Sequence, residues 1–167
     1  ARVKLYYSLQ TNGVLMNDEW SELLSSLRIS VGISLDGEQE TNDQYRKDHK
    51  GRGTYQKVIE GIETAKKYTF LKNNLGILTV INVSSDPVAV YANFKQLDIH
   101  NFNLLLPYGT YNFPPAKIKP MHAGIFTPYA DWLIGIFDLW FEDEHRPEIR
   151  LFTSVIELLL GMNNEFE

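Results

Sequence analysis

No cysteine stands anywhere in the 167 residues, and that absence removes whole classes of chemistry. Disulfides, zinc thiolate sites and thiolate-held iron–sulfur clusters all need the sulfur ligand that this chain does not carry. The four histidines, His49, His100, His122 and His145, show no metal-ligand spacing, so no metal site is expected within the chain. Positive charge is also short, with 16 Lys and Arg against 21 Asp and Glu, a net charge of −5 and a pI near 5.4. Nucleic acid rewards a basic face and is not an expected partner. No apolar run approaches the ~20 residues of a membrane span. The opening stretch, ARVKLYYSLQTNG, has neither an apolar signal region nor a cleavage site, and a cytoplasmic setting is expected. Gly-rich phosphate loops and a nucleophile elbow are missing too.

What remains is an ordinary globular composition, 44% hydrophobic, enough for one domain or part of a larger one. Its pattern is strand then helix, repeated. Val3 to Gln10 reads as a strand, followed by the turn Thr11-Asn12-Gly13 and a helix capped by Asn17 that carries Trp20, Leu23, Leu24 and Leu27. Ser30 to Leu35 reads as the second strand. A long charged loop follows, opening at Asp36-Gly37, and Thr54 caps a helix through Val58, Ile59, Ile62 and Ala65. Leu75 to Val83 is rich in β-branched residues and makes the third strand. Asp86-Pro87 starts the next helix, and Phe102 to Leu106 is the fourth strand.

The alternation breaks at Pro107. Tyr108 to Phe126 reads as a loop, and Thr127-Pro128 opens a helix whose Trp132, Phe137 and Trp140 form a core-facing stripe. Ile149 to Phe152 reads as a short extended piece and Ser154 to Leu160 as a last helix. The fold class is therefore α/β, with parallel βα repeats. Four such strands do not close a barrel, and further strands are expected to precede Ala1.

Ligands of barrels and open sheets built this way sit beyond the carboxyl ends of the strands. The loop after the second strand carries the most useful groups there, Ser34, Asp36 and Arg46. Each has a plainer reading. Asp36-Gly37 is by itself an ordinary turn, Ser34 a small buried residue, and Arg46 one charge in a solvated run with Asp43 and Asp48 as partners.

The order of segments is more specific than any one of them. LQTNG, a helix with a tryptophan, then VGISLDG…ND…YRKD…GRGTY, then ILTVINV, TPYADWLIGIFDLWFED and IRLF…LLLG resemble radical SAM maturases with a SPASM extension. The likeness is to anaerobic sulfatase-maturating enzymes and to peptide maturases that form cyclophane crosslinks. Two departures stand out: the family usually has proline after Asp-Gly and then His-Asp, where this chain has Glu38 and Asn42-Asp43.

The resemblance implies the C-terminal part of a partial TIM-like barrel over residues 1–112. Residues 113–167 would form a helical linker toward a SPASM-like region. It also implies S-adenosylmethionine (AdoMet) as cofactor and a 4Fe-4S cluster held by a CxxxCxxC loop outside this chain. The substrate would be a peptide or protein side chain, attacked by a 5′-deoxyadenosyl radical. The missing amino-terminal half of the same barrel would be a structural partner. By position Ser34 resembles the strand-end hydroxyl on the cofactor, and Arg46 the arginine whose fork meets the methionine carboxylate. Asp36, Gln10 and Asn12 complete the expected cofactor-binding set. The alternative is a cluster-less α/β module that binds or scaffolds without catalysis.

Overall fold

The computed structural model describes residues 3–110, 112, 115 and 127–162. Five parallel strands lie side by side in chain order: β1 (Tyr7–Thr11), β2 (Ile29–Ser34), β3 (Leu75–Val80), β4 (Asn101–Leu105) and β5 (Glu148–Ile149). Between them run α1 (Asp18–Ser26), α2 (Gln39–Tyr45), α3 (Tyr55–Lys66), α4 (Thr69–Asn74), α5 (Pro87–Gln96) and α6 (Pro128–Glu142), and α7 (Arg150–Leu159) follows β5. Parallel neighbours need crossovers, and right-handed crossovers in one unbroken order put all of them on one side of the sheet. A doubly wound sheet would have to reverse its order somewhere. None of these strands does, so the architecture is a barrel segment.

The two faces of the sheet divide by strand alternation. Val31, Ile33, Leu75, Ile77, Phe102, Leu104 and Ile149 point under the helices and are almost fully buried, meeting Val58, Ile62, Leu71 and Phe94. The other face carries small and polar residues in register: Ser8 beside Ser30, Gln10 beside Gly32, Gly32 beside Gly76, Gly76 beside Asn101, and Asn101 beside Glu148. A cavity of about 310 Å³ opens on that face between Ser8, Ser30, Gly76, Asn101 and Asn103. An apolar side backed by helices and a polar side left open is the pattern of a barrel wall, with its inside facing the cavity.

Several expected boundaries move. β1 begins at Tyr7, and β3 stops at Val80, three residues before the apolar run does, with Ile81 N still donating to the Leu105 carbonyl at 2.9 Å. The charged stretch after Gly37 is not all loop: it holds α2, whose buried Thr41 and Asn42 anchor it. α4 was not expected, and Leu71, fully buried, is the residue that docks it. β5 pairs with β4 at Asn101–Glu148 and Phe102–Ile149. The segment after residue 112 thus adds a strand to the sheet as well as helices, and α7 starts at Arg150 rather than at Ser154. Asn17 and Asp86 cap α1 and α5 as expected, accepting from Trp20 N and Val88 N at 2.9 Å. Thr54 and Thr127 make no side-chain cap bond. Of the stripe on α6, Trp132 and Trp140 are buried, each with its indole N–H on a backbone carbonyl, Ser85 and Pro147. The loop read at Tyr108 to Phe126 lies mostly outside the described residues, as does His122.

Candidate functional site at the strand ends

Because all strands run one way, their carboxyl ends share one rim. Thr11 is level with Ile33 in the register, so Asn12 and Gly13 leave β1 beside Ser34. Gln10 shares the open face with Ser34, one strand over and two residues lower. The expected set therefore converges on one end of the sheet, although its members do different things.

Ser34 ends β2 with 9% of its surface exposed, and its hydroxyl takes part in no hydrogen bond among the described residues. Asn12 is exposed and its Oδ1 accepts the Val14 N–H at 3.2 Å, which is turn chemistry. The turn closes when Gly13, at φ 73°, lets the chain fold back under its own carbonyl to Met16 N at 3.1 Å.

Asp36 and Arg46 form one unit. Arg46 donates Nε to Asp36 Oδ2 at 2.6 Å and Nη2 to Asp36 Oδ1 at 3.0 Å. The same Oδ1 accepts the Val80 N–H, the last of β3, at 2.9 Å. Asp36 is 7% exposed. Its carboxylate is thus engaged by a side chain and a strand end. The plain reading of Arg46 is corrected by the same pair. Its partner is Asp36, ten residues back, while Asp48 pairs with Arg52 at 2.8 Å. Two hydrogen bonds from Arg52 and one from the Lys50 N–H hold the Asp48 carboxyl down at about 2.

Asn42, Asp43, Thr54 and Asn93 build the frame around this pair, in roles that the sequence did not assign to them. Asn42, fully buried, accepts the Asp36 N–H at 3.2 Å and donates to Asp43 Oδ1 at 3.0 Å. Asp43 Oδ1 also accepts the Tyr55 N–H at 2.8 Å, so Asp43 caps α3 where Thr54 was expected to. Thr54 instead donates its hydroxyl to the Arg46 carbonyl at 3.1 Å. Asn93 reaches over from α5, donating to the Gly37 carbonyl at 2.9 Å and accepting from the Tyr55 hydroxyl at 2.7 Å. Burial raises the Tyr55 pKa and keeps that hydroxyl a donor. Nothing in residue type alone marks Asn42 or Asn93. Their roles show only in the fold, where Asn42 is fully buried and the half-buried Asn93 reaches the Gly37 carbonyl.

Beside the pair lies a second cavity, about 370 Å³ and mostly apolar, lined by Asp36, Thr41, Tyr45, Ile81, Val83 and Tyr129 among others. It opens past the ends of β2 and β3, where a ligand of such a sheet is expected.

The profile of the radical SAM superfamily matches residues 1–94. The chain belongs to that superfamily. Over 173 aligned residues it is 35% identical to a cysteine-type anaerobic sulfatase-maturating enzyme of Clostridium perfringens (strain 13 / Type A), covering 97% of this chain and 44% of the relative. It is 38% identical over 166 residues to a serine-type anaerobic sulfatase-maturating enzyme of Bacteroides thetaiotaomicron, covering 92% and 40%. The solved structure of native anSMEcpe with bound AdoMet superposes with a TM-score of 0.78 at 32% identity, over 98% of this chain and 45% of that one. A second, with AdoMet and the Cp18Cys peptide, matches equally well. The chain spans less than half the length of these relatives.

For a radical SAM protein the residues present fit one expected group and not the other. A nine-tenths buried strand-end hydroxyl and a guanidinium edge, both without a partner among the described residues, suit the polar end of AdoMet. A thiolate-held cluster has no ligand in this cysteine-free chain. Among the described residues no three His, Asp or Glu side chains are grouped to hold a metal ion.

Proposed function

We propose that this chain is part of a radical SAM maturase that modifies a cysteine or serine side chain of a peptide or protein. The observation that carries the reading is the likeness over at least 92% of the chain to both cysteine-type and serine-type sulfatase-maturating enzymes. AdoMet, when bound and reduced by a 4Fe-4S cluster, supplies the hydrogen-abstracting radical. The cluster's ligands lie elsewhere in the protein. This chain's residues bind and orient. Arg46 takes the methionine carboxylate in its open edge, Ser34 offers its hydroxyl at the end of β2, and Gln10 and Asn12 face cofactor or substrate from the end of β1. The apolar cavity between Tyr45 and Tyr129 receives the less polar part of a ligand and excludes water from it.

Residues 1–112 serve as the latter part of the barrel, with β5 added to its edge, and α6 and α7 lead on toward a SPASM-like region. The protein works in the cytoplasm. No helix among the described residues is long and apolar enough to cross a membrane. The absence of cysteine keeps a second reading in view, a cluster-less binding or scaffold module.

One experiment separates the two. The full-length protein is reconstituted with iron and sulfide under anaerobic conditions and given AdoMet, a reductant and sulfatase-type peptides bearing Cys or Ser. Release of 5′-deoxyadenosine, with conversion of one of those residues to formylglycine, supports the maturase. A peptide crosslink would support the reaction class and reassign the product. A protein that binds AdoMet or peptide but yields no 5′-deoxyadenosine is the binding module.

A further inference from the structure

An arginine side chain carries five N–H groups in one plane, arranged as a side-on edge (Nε, Nη2) and an end-on edge (Nη1, Nη2). In Arg46 the side-on edge is filled by Asp36, at 2.6 and 3.0 Å. The end-on edge makes no bond among the described residues, and the side chain is 27% exposed. The backbone of Arg46 is pinned as tightly: its N–H donates to the Asn42 carbonyl at 2.8 Å, and its carbonyl accepts from Thr54 N at 3.2 Å and Thr54 Oγ1 at 3.1 Å. Asp36 in turn is held by the Val80 N–H and the Asn42 amide. The arginine therefore cannot swing without breaking bonds at both of its ends.

We propose that Asp36 is a positioning residue: by occupying the side-on edge of Arg46 it fixes the end-on edge for the carboxylate of the ligand's amino-acid part. This rests on the reading of Arg46 as the carboxylate receptor. The physical reason is preorganisation. A free arginine must freeze several rotamers to grip a carboxylate two-handed, whereas one already clamped by a buried aspartate does not. The aspartate also keeps the site from being over-positive when it is empty.

The test uses the full-length, cluster-reconstituted protein and two ligands. S-adenosylhomocysteine carries the amino-acid carboxylate; 5′-methylthioadenosine has the same nucleoside without it. Asp36→Asn keeps an oxygen for the Val80 N–H but turns an N–H toward the guanidinium. It is expected to weaken S-adenosylhomocysteine about tenfold, the loss of one oriented charge-assisted contact, and to leave methylthioadenosine within about twofold. In an Arg46→Ala background the same change should cost S-adenosylhomocysteine nothing further. Asp36→Glu, which keeps the carboxylate, should recover part of the loss, and it decides the matter if Asp36→Asn does not fold. An equal loss for both ligands overturns the proposal, because it marks a role in the fold alone. Full affinity in the Asp36 variants, with loss in Arg46→Ala, overturns it while sparing the Arg46 reading. Unchanged ligand preference in Arg46→Ala removes that reading and the proposal with it.

Discussion

The Asp36 carboxylate bridges the Arg46 guanidinium, at 2.6 and 3.0 Å, and the amide of Val80 at the end of β3, at 2.9 Å. Through this one side chain the segment after β2 is tied both to its own far end and to the neighbouring strand. A pair so placed affects stability and site geometry together.

Arg46→Ala should therefore destabilise the protein as well as alter the site. Asp36 would keep the Val80 N–H but lose its charged partner while still mostly buried, a cost of about 1–3 kcal/mol. Urea unfolding of wild type and variant measures it. A change within about 0.5 kcal/mol would mean that the pair behaves as a surface ion pair.

Asp43, not Thr54, should be the cap that α3 depends on. Asp43→Ala is expected to cost about 1 kcal/mol, through the orphaned Tyr55 N–H and the Asn42 amide, and Asp43→Asn less, since its oxygen still accepts. Denaturant midpoints of the two variants check the order. Equal losses would point to charge rather than to the hydrogen bond.

Gly61 should reverse the usual helix rule. Glycine to alanine inside a helix ordinarily stabilises by roughly 0.5–1 kcal/mol. A Cβ on Gly61, however, falls 2.6 Å from the Gly13 carbonyl oxygen and 3.0 Å from Met16 Cβ. Backbone cannot step aside as a side-chain tip can, so Gly61→Ala is expected to destabilise by about 1–3 kcal/mol and to shift the Gln10–Gly13 turn. A stabilised variant would show that α3 packs less closely against that turn.

Asp143 should contribute a pH-dependent part of the stability. It accepts from Lys95 Nζ at 2.7 Å, the Tyr91 hydroxyl at 2.8 Å and the His145 N–H at 2.8 Å, and the Lys95 bond above all lowers its pKa from 3.8 to about 2. Burial, with the Asp143 carboxylate as acceptor, pushes the Tyr91 hydroxyl well up, so it stays a donor across the range. A depressed carboxylate stabilises the fold above its unfolded pKa, and that contribution fades as pH falls from about 4 toward 2. Asp143→Asn should lower Tm by about 2–4 °C at neutral pH, and the gap to wild type should close in acid. A gap that stays constant with pH would assign the effect to packing.

Much of this was legible in the residue order, and the reasons differ from place to place. Strands such as Leu75–Val80 are nearly continuous apolar runs, and the caps Asn17 and Asp86 act locally, so sequence suffices for them. Ser34, Gln10 and Asn12 fall at one rim because a parallel βα chain leaves them no other end. The frame of the site was not legible. α2 is a polar heptad of residues, QETNDQY, whose helix is held by tertiary bonds from Asn42 and Asp43 rather than by propensity or pattern. Arg46 had nearer acidic neighbours in Asp43 and Asp48, and its choice of Asp36 depends on a fold that buries that carboxylate. The departure Asn42-Asp43 has a role the residue types do not announce: one amide and one carboxylate connect Asp36 to the start of α3.

The affinity of the full-length protein for AdoMet, titrated in wild type, Arg46→Lys and Arg46→Ala well below their melting temperatures, tests the central claim most directly. A carboxylate in the open edge of Arg46 gains charge-assisted hydrogen bonds of about 1.5–3 kcal/mol. The account predicts that Arg46→Ala loses roughly tenfold to hundredfold in affinity, with Arg46→Lys in between because an ammonium is no fork. Three equal affinities, from folded proteins, would contradict it.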